Sequence, residues 1–377
     1  MSSCCAIGVS EKQAEENKNP PRQVKMNSLR RLLGNVPVPR FGAAAGLTGF
    51  LCAGRMGSVG KVIWPECGWE GYRVLGFLRK DDDTSILSHL SKDIMLEETE
   101  LVHKEDIVRW TRLFLPDEIY NFAAVSFIPD SWDDPYRAIQ VNTLLAAAFL
   151  EVIKDHCPSS RFYQASTSEI FGDPPDSPQT ERTPHNPVTP YGVSKLAAHL
   201  LVGLYRRMYG IFTVSGILYN HESPRRPARF VTKKIACAAA AISKGSTEKV
   251  KLGNIDARRD WGFAGDYVRG IWLMLQADSP DDYIVATGRT HSIRDFLEEA
   301  FRYVSLDWND WVEVDPALIR PMDVGQLVGD PSKAREKLGW VPEMTFTELV
   351  RLMVDYELAA LSEERMKTMP SASISRP

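Results

Sequence analysis

The chain of 377 residues has few cysteines and no cysteine motif. Its six cysteines stand at positions 4, 5, 52, 67, 157 and 237, and no CxxC pair occurs among them. Neither a zinc ribbon nor a dithiol redox site is therefore encoded, and we predict no bound metal. Scattered cysteines in a chain of this length are typical of a reducing compartment, so we expect a cytoplasmic protein.

The sequence also lacks a basic surplus and long apolar runs. Its 45 Lys and Arg against 49 Asp and Glu give a net charge of −4, whereas a nucleic-acid-binding domain usually carries excess positive charge. No run of 18 apolar residues occurs, and the N-terminus has no apolar signal core. With 44% hydrophobic and 25% charged residues, we expect a globular protein without a nucleic-acid or membrane partner.

The pattern of apolar residues divides the chain into four parts. Residues 1–45 form a tail whose first 40 residues hold seven basic and three acidic side chains, and we interpret it as flexible. Between 46 and 220, short apolar runs alternate with helical patterns. The pattern loosens over 221–365, as expected of a smaller substrate-binding lobe, and the Ser/Pro-rich residues 366–377 indicate a second flexible tail.

Strand and helix signals alternate regularly in the second part. Strands are predicted at 50–53, 73–78, 118–123, 161–165 and 213–218. Helices are predicted near 58–70, 105–113, 138–155 and 191–208. Such alternation indicates βαβ units and a doubly wound parallel sheet of the α/β class. In this architecture the ligand crevice lies at the carboxyl ends of the strands.

Glycines at GxxGxxG spacing follow the first predicted strand: Gly54, Gly57 and Gly60. Glycine allows a tight turn and a close backbone approach to a pyrophosphate, and the next helix N-terminus supplies amide N–H groups. Gly46 and Gly49 offer a competing register in which Cys52 would take the third position. We prefer the first register because of its distance to the second strand, although Pro65 then interrupts the following helix.

The residues after the second predicted strand bear on which dinucleotide is bound. That strand ends in Arg79 and Lys80, with no acidic residue at its immediate tip. A carboxylate there would accept hydrogen bonds from a ribose 2′-hydroxyl, whereas a guanidinium suits a 2′-phosphate. The sequence therefore favours NADP over NAD, although the acidic residues 81–83 argue the other way.

Tyr191 and Lys195 stand four residues apart in a predicted helix and therefore share one of its faces. A tyrosine with a pKa near 10 is a poor base at neutral pH, and lowering its pKa by about 3 units takes about 4 kcal/mol. A lysine ammonium and a nicotinamide cation supply stabilisation of this kind. Because a Tyr-x-x-x-Lys spacing is common by chance, it gains weight only from a second group of residues.

That second group directly follows the strand predicted at 161–165: Ser166, Thr167, Ser168 and Glu169. Hydroxyl groups and a carboxylate at the carboxyl end of a parallel strand fall in the expected crevice. Capping of a turn is the ordinary alternative for Ser and Thr at this place. Together with the Tyr/Lys helix, the group predicts a catalytic site.

On these residues the chain resembles the extended short-chain dehydrogenase/reductase family and, more narrowly, the GDP-mannose 4,6-dehydratase family. The narrower resemblance rests on the runs 162–169, 216–226, 230–235, 252–262, 286–288, 329–334 and 338–340, and it extends over about 50–355. It implies a Rossmann-like doubly wound parallel sheet with a smaller C-terminal α/β substrate-binding lobe. It also implies bound NADP and a homodimer or homotetramer.

The resemblance further implies a reaction and catalytic roles. GDP-D-mannose would become GDP-4-dehydro-6-deoxy-D-mannose plus water, with hydride passing from C4 to NADP and back to C6. Tyr191 would take the 4-hydroxyl proton, Lys195 would lower the pKa of Tyr191 and hold the nicotinamide ribose, and Thr167 would bond the C4 carbonyl. Glu169 would remove the C5 proton and protonate the leaving hydroxyl at C6.

Further ligand contacts are implied by the same resemblance. Cofactor contacts are implied for Glu100, Leu101, Phe122, Ala123, Ala124, Ser126, His221 and Arg226, beside the loop glycines. Substrate contacts are implied for Ser126, Asn220, Lys234, Arg259 and Arg320, mainly with the GDP part. Bidentate arginine suits a diphosphate, although surface ion pairs are the alternative for these arginines.

The sequence departs from the family pattern near the expected ligands. Val125 and Phe127 stand where the family usually has Gln and His around Ser126. Phe263 and Gly265 replace polar residues in the second lobe. These differences bear on cofactor affinity and subunit contacts more than on the type of reaction.

Two other functions stay open at the level of sequence. One is a GDP-4-keto-6-deoxymannose reductase or nucleotide-sugar epimerase of the same fold. The other is a catalytically inactive nucleotide-sugar-binding regulatory protein, suggested by the irregular stretch 46–70. A reductase would consume NADPH stoichiometrically, whereas an inactive protein would bind GDP-mannose without retaining NADP.

Overall fold

The structure is a computed structural model that describes residues 48–53, 72–78, 94–99, 104–318 and 326–368. Its strands are β1 (Thr48–Ala53), β2 (Tyr72–Leu78), β3 (Ile94–Glu98), β4 (Glu118–Asn121), β5 (Arg161–Thr167), β6 (Thr213–Leu218), β7 (Asn220–Glu222), β8 (Val250–Leu252), β9 (Arg258–Arg259), β10 (Trp261–Phe263), β11 (Asp282–Val285), β12 (His291–Ser292) and β13 (Val312–Val314). The two predicted tails and the predicted helix at 58–70 lie mostly or wholly outside the described residues.

The α-helices of the described ranges number ten. They are α1 (Lys104–Phe114), α2 (Ile128–Asp133), α3 (Pro135–Ile139), α4 (Leu145–His156), α5 (Pro190–Tyr209), α6 (Val231–Ser243), α7 (Ala264–Gln276), α8 (Ile293–Tyr303), α9 (Ser332–Leu338) and α10 (Phe346–Thr368). A π-helical turn, Gln140–Leu144, joins α3 to α4, and a 3₁₀ turn, Ser168–Ile170, follows β5.

Seven parallel strands form the central sheet in the order β3-β2-β1-β4-β5-β6-β11. This order confirms the predicted doubly wound α/β sheet, with its topological switch between β1 and β4. Strands β4 and β6 are buried along their whole length, as expected where helices cover both faces of a parallel sheet. The edge strand β3 has no counterpart in the sequence prediction, because its short run IMLEE ends in two acidic residues.

Helix α5 carries clear start and stop signals. Thr189 caps its N-terminus by accepting a hydrogen bond from the Gly192 amide at 3.0 Å, and Pro190 occupies the first helical position. Gly210 ends the helix in the left-handed conformation with φ of 66°. The observed bounds therefore extend the prediction of 191–208 by one residue at each end.

One described helical stretch, Pro135–His156, is long and apolar enough to cross a membrane by length and composition alone. Half of its apolar window is buried inside the protein, and α4 packs against α1 and α5. Leu145, Phe149 and Leu150 belong to the apolar core beneath the sheet. This burial is the pattern of a core helix in an α/β protein.

The C-terminal half builds a second apolar core but also returns to the sheet. Helices α6, α8 and α10 pack together around Ile235, Phe296, Leu349 and Met353. Strand β11 nevertheless pairs with β6, and α7 packs against β5 and β6. The boundary predicted at residue 220 therefore does not separate the two units completely, because the segment from α7 to β11, which follows it in the chain, completes the central sheet.

Asp260, between β9 and β10, joins the two units. Its side chain is fully buried and accepts hydrogen bonds from Thr287 N at 2.9 Å, Thr287 Oγ1 at 2.6 Å, Gly288 N at 2.9 Å and Gly329 N at 3.4 Å. Thr287 lies two residues beyond β11. Burial raises the pKa of Asp260 to about 6, although the hydrogen bonds from Thr287, Gly288 and Gly329 act in the opposite direction.

We expect Asp260→Asn to lower the free energy of unfolding by about 1–3 kcal/mol at pH 4–5. The side-chain NH₂ group of the asparagine cannot accept hydrogen bonds from the backbone N–H groups that face it. A raised folded-state pKa means that the stability contributed by the acid is lost as pH rises from about 4 to about 6. The variant lacks this loss, so the difference in free energy of unfolding between parent and variant should shrink from pH 4 to pH 6 and change no further above pH 6. Urea unfolding across this pH range measures it.

Asp256→Asn is the matched control, because the Asp256 side chain is exposed and pairs with Arg294 at 2.8 Å on the surface. We expect it to change the free energy of unfolding by less than about 1 kcal/mol at every pH. Equal effects of the two substitutions would contradict the joining role of Asp260.

Candidate active site

The carboxyl end of β5 presents hydroxyl groups and then a carboxylate. Thr167 is the last residue of the strand, is 8% exposed, and caps the 3₁₀ turn by accepting a hydrogen bond from Glu169 N at 3.3 Å. The cap that was the ordinary alternative for this residue is therefore present. It also aligns the backbone so that Glu169, which is half-buried, follows directly beside the strand end.

Lys195 binds the same strand from helix α5. Its side chain is 2% exposed, and Nζ donates a hydrogen bond to the Ala165 carbonyl oxygen at 2.9 Å. Burial lowers the pKa of Lys195 to about 8. The ammonium form therefore still dominates at pH 7, and its acceptor residue, Ala165, lies two residues before Thr167 on β5.

Gly192 lets α5 approach the turn that carries Glu169. A Cβ atom at position 192 would lie 2.7 Å from the Glu169 carbonyl oxygen and 3.1 Å from Cβ of Pro187. Only a glycine allows this backbone separation without movement of the turn. The close approach brings Tyr191, the preceding residue, to the same place as Thr167 and Glu169.

Thr167, Glu169 and Arg226 all act on the pKa of Tyr191. Burial raises the pKa of Tyr191 to about 12, and the negative charge of Glu169 adds to this rise. A hydrogen bond with the Thr167 side chain and the positive charge of Arg226 act in the opposite direction. In this state burial outweighs the positive charge, so a phenolate base requires a further cation next to Tyr191.

Strand β7 and the segment after it bring cationic and polar groups to the site. His221 Nδ1 lies 2.8 Å from the Tyr219 carbonyl oxygen, and burial together with the Arg226 charge lowers the pKa of His221 to about 4. Its imidazole is therefore neutral at pH 7. Arg226 pairs through Nε with the buried Glu222 carboxylate at 3.2 Å.

The predicted cofactor residues after β4 lie at the switch between β4 and β1. Ala123 is buried and donates its amide hydrogen to Asn121 Oδ1 at 3.1 Å, Ala124 is half-buried, and Ser126 is exposed. The Phe122 ring packs on Tyr163 at a centroid distance of 5.4 Å and so faces partly into the core. Small side chains at the switch, with Arg226 and Lys195 nearby, fit an anionic dinucleotide.

The substrate residues are spread over the second lobe. Asn220 lies on β7, where it pairs in register with Trp261 of β10, and Arg259 lies on β9, two residues before Trp261. Lys234 is exposed on α6 and donates to the Lys251 carbonyl oxygen at 2.7 Å. Asn220 and Arg259 therefore lie in two different two-stranded sheets, β7–β10 and β9–β12, and Lys234 lies on a separate helix.

Eight predicted ligand residues lie outside the described residues: Gly54, Gly57, Gly60, Arg79, Lys80, Glu100, Leu101 and Arg320. Their predicted roles stay predictions.

Two polar residues that hold the site together were not predicted. Asn142, in the π-helical turn, is fully buried, accepts from Val125 N at 2.8 Å and donates to Ser194 Oγ at 2.8 Å. Ser131 Oγ accepts a hydrogen bond from Tyr191 N at 3.2 Å. The available signal was an asparagine within the mostly apolar helix predicted at 138–155, since a buried amide needs partners.

The doubly wound sheet, with a Tyr/Lys pair on the helix after β5, places the chain in the class of extended short-chain dehydrogenases/reductases. The structure is similar to that of UDP-glucose 4-epimerase from Thermus thermophilus in complex with NAD, with a TM-score of 0.74 and 27% sequence identity. That likeness covers 83% of this chain and 100% of the epimerase chain.

Sequence comparison narrows the class. GDP-mannose 4,6 dehydratase 2 of Arabidopsis thaliana is 41% identical over 330 residues, covering 84% of this chain and 88% of the relative. GDP-mannose 4,6 dehydratase of Homo sapiens is 39% identical over 333 residues, covering 80% of this chain and 88% of that relative. The family model described as GDP-mannose 4,6 dehydratase matches residues 51–353. The chain belongs to the GDP-mannose 4,6-dehydratase family, which confirms the resemblance seen in the sequence.

We expect Gly192→Ala to cut catalytic turnover at least tenfold, because the added methyl group meets the Glu169 carbonyl and pushes α5 away from the 3₁₀ turn. Gly203→Ala on the same helix is the control, since its Cβ would meet only the flexible end of Arg207 at 3.3 Å. Gly203→Ala should raise stability by up to about 1 kcal/mol with turnover intact. Turnover assays and thermal unfolding compare the two; equal activity would refute the close-approach requirement.

Proposed function

We propose that this chain is a GDP-mannose 4,6-dehydratase that converts GDP-D-mannose to GDP-4-dehydro-6-deoxy-D-mannose and water. Membership of the family supports the reaction class. The observation that carries the proposal furthest is the close approach of the Tyr191–Gly192 backbone to the Glu169 carbonyl, next to Thr167 at the end of β5. A reductase has no comparable need for a second acid/base group beside the tyrosine.

Each side chain has one task in the proposed reaction. Bound nicotinamide supplies the hydride acceptor at C4 and the hydride donor at C6, and its positive charge is the further cation that Tyr191 requires. Tyr191 Oη takes the proton of the sugar 4-hydroxyl, and Thr167 donates a hydrogen bond to the C4 carbonyl that forms. The buried Lys195 ammonium stabilises the phenolate.

Glu169 carries out the elimination. The C4 ketone acidifies the neighbouring C5–H bond, and the carboxylate removes that proton. The same carboxyl group then gives its proton to the hydroxyl that leaves C6, so that water departs and a C5–C6 double bond remains. Hydride would then return to C6 and a solvent proton would add at C5, while Tyr191 would release the proton taken from the 4-hydroxyl, so that cofactor and side chains would end in their original states.

NADP is the proposed cofactor. The sequence supports this choice through Arg79 and Lys80 after the second strand, which suit a 2′-phosphate better than a 2′-hydroxyl. Arg226 adds positive charge on the other side of the crevice.

We expect purified protein with GDP-mannose and NADP⁺ to form the 4-keto product without net consumption of cofactor. Glu169→Gln should still oxidise C4 but lose water at least about 100-fold more slowly, since the amide cannot exchange the C5 proton. Mass spectrometry of the sugar and absorbance of reduced nicotinamide separate the two steps. Water loss by Glu169→Gln at the parent rate would contradict the assigned role.

Asp173→Asn is the matched control for that experiment. Asp173 is an exposed carboxylate four residues beyond Glu169. Its substitution should leave both steps unchanged. Stoichiometric use of NADPH by the parent protein would instead identify a reductase.

We further propose that two copies associate through helix α5 and the segment before α4. Exposed apolar side chains form one stripe along α5, namely Val193, Leu200, Leu204 and Met208, and the neighbouring helical segments add Trp132, Tyr136, Ile139 and Leu144. A groove of about 420 Å³ opens where Trp132, Ile139 and Val193 meet. Monomeric proteins rarely expose apolar surface this continuous, and a second copy presents the same stripe.

We expect the double substitution Leu204→Glu with Met208→Glu to produce a monomer, because it places four buried charges in each symmetric interface. Light scattering after size-exclusion chromatography measures the mass. Leu318→Glu changes an exposed leucine of the second lobe and should leave the oligomer intact. An unchanged mass for the α5 variant would contradict this interface.

A further inference from the structure

Phe127 and Phe230 contact each other from opposite sides of the crevice. Phe127 directly follows the predicted ligand residue Ser126 after β4, and Phe230 precedes α6 in the second lobe. Their rings meet edge to face, with centroids 5.4 Å apart and an interplanar angle of 81°. This arrangement is favourable for aromatic pairs, so the contact fixes the spacing of two otherwise separate loops.

An arginine guanidinium also lies over each of the two rings. The Arg226 Cζ lies 3.6 Å from the centroid of Phe230, and the Arg229 Cζ lies 4.3 Å from that of Phe127. Arg229 pairs with Asp130 at 2.9 Å, but both side chains are about 40% exposed, so this ion pair contributes little. The contact between Arg226 and Phe230 is therefore the stronger of the two contacts between a guanidinium and a ring.

Arg226 also forms an ion pair with a buried carboxylate. Its Nε lies 3.2 Å from Glu222 Oε2, and Thr232 Oγ1 donates to the same oxygen at 2.8 Å. The Glu222 side chain is 2% exposed. Glu222 holds one edge of the guanidinium and Phe230 covers its face. The charge held in this way opposes the rise in the pKa of Tyr191 and adds to the fall in that of His221.

The segment that begins at Phe127 also holds Tyr191 through its backbone. Ser131 Oγ donates to the Ile128 carbonyl oxygen at 2.6 Å and accepts from Tyr191 N at 3.2 Å. Phe127 and Ser131 lie four residues apart on one short segment. This segment therefore touches both the start of helix α5 and the stack that ends at Arg226.

We propose that Phe127 and Phe230 are positioning residues that hold the Arg226 guanidinium beside Tyr191 across the crevice. The activity part of this inference rests on the proposed dehydratase function. Within the described ranges, the other ionisable groups that interact with Tyr191 or Arg226 are Glu169 after β5 and His221 and Glu222 on β7, and Lys195 follows Tyr191 by one helical turn on α5. Arg226 differs from these groups because its guanidinium lies on the Phe230 ring and therefore depends on the aromatic stack for its position.

The test compares the parent with Phe127→Leu and Phe230→Leu, which keep apolar volume but remove the ring. A displaced guanidinium stabilises the Tyr191 phenolate less, so the acid limb of the pH–rate profile should move upward by about 0.5 unit or more. The dissociation constant for NADP⁺, measured by quenching of protein fluorescence, should rise about 3- to 30-fold. Phe127→Tyr keeps the ring and should restore both parent values.

Trp308→Leu is the matched control, because it removes a ring that Arg294 covers at 5.5 Å in the second lobe. It should leave the pH profile and NADP⁺ binding unchanged. The NADP⁺ titration does not use GDP-mannose, so it decides the positioning role even if the parent fails to convert that sugar. Folded leucine variants with the parent dissociation constant and pH profile would overturn the proposal, and either variant suffices if the other does not fold.

Discussion

The site depends on the docking of one helix against one strand end. Lys195 Nζ bonds the Ala165 carbonyl of β5 at 2.9 Å, and Gly192 brings the helix backbone close to the carbonyl of Glu169. These two contacts fix both the angle and the separation of α5 relative to the 3₁₀ turn. The phenol and the carboxylate reach one site only because α5 lies this close.

The second lobe completes what the sheet begins. Strand β7 starts two residues after β6, so His221 and Arg226 are delivered to the crevice without a long connection. Asp260 ties β9 and β10 to the residues beyond β11. The two cores are therefore coupled at the crevice, and residues from both act on Tyr191.

Burial and charge oppose each other throughout the site. Burial raises the pKa of Tyr191 to about 12 and lowers that of Lys195 to about 8. Both shifts favour neutral side chains, whereas the proposed proton transfer at C4 needs a phenolate beside an ammonium. The site therefore depends on fixed positive charge, which explains why a guanidinium is held by a buried carboxylate and an aromatic face rather than left in solvent.

The sequence alone determined the alternation of strands and helices, the parallel sheet and the Tyr/Lys face of α5, because periodicity and capping are local properties of the chain. The strand predicted at 161–165 placed Thr167 and Glu169 at its carboxyl end, and the family resemblance implied their catalytic roles. Only the tertiary structure decided that Gly192 controls the approach of Glu169, that Asn142 and Ser131 hold α5, and that Phe127 meets Phe230. Those contacts join residues that are distant along the chain, and their geometry depends on how the packed elements meet rather than on any local pattern.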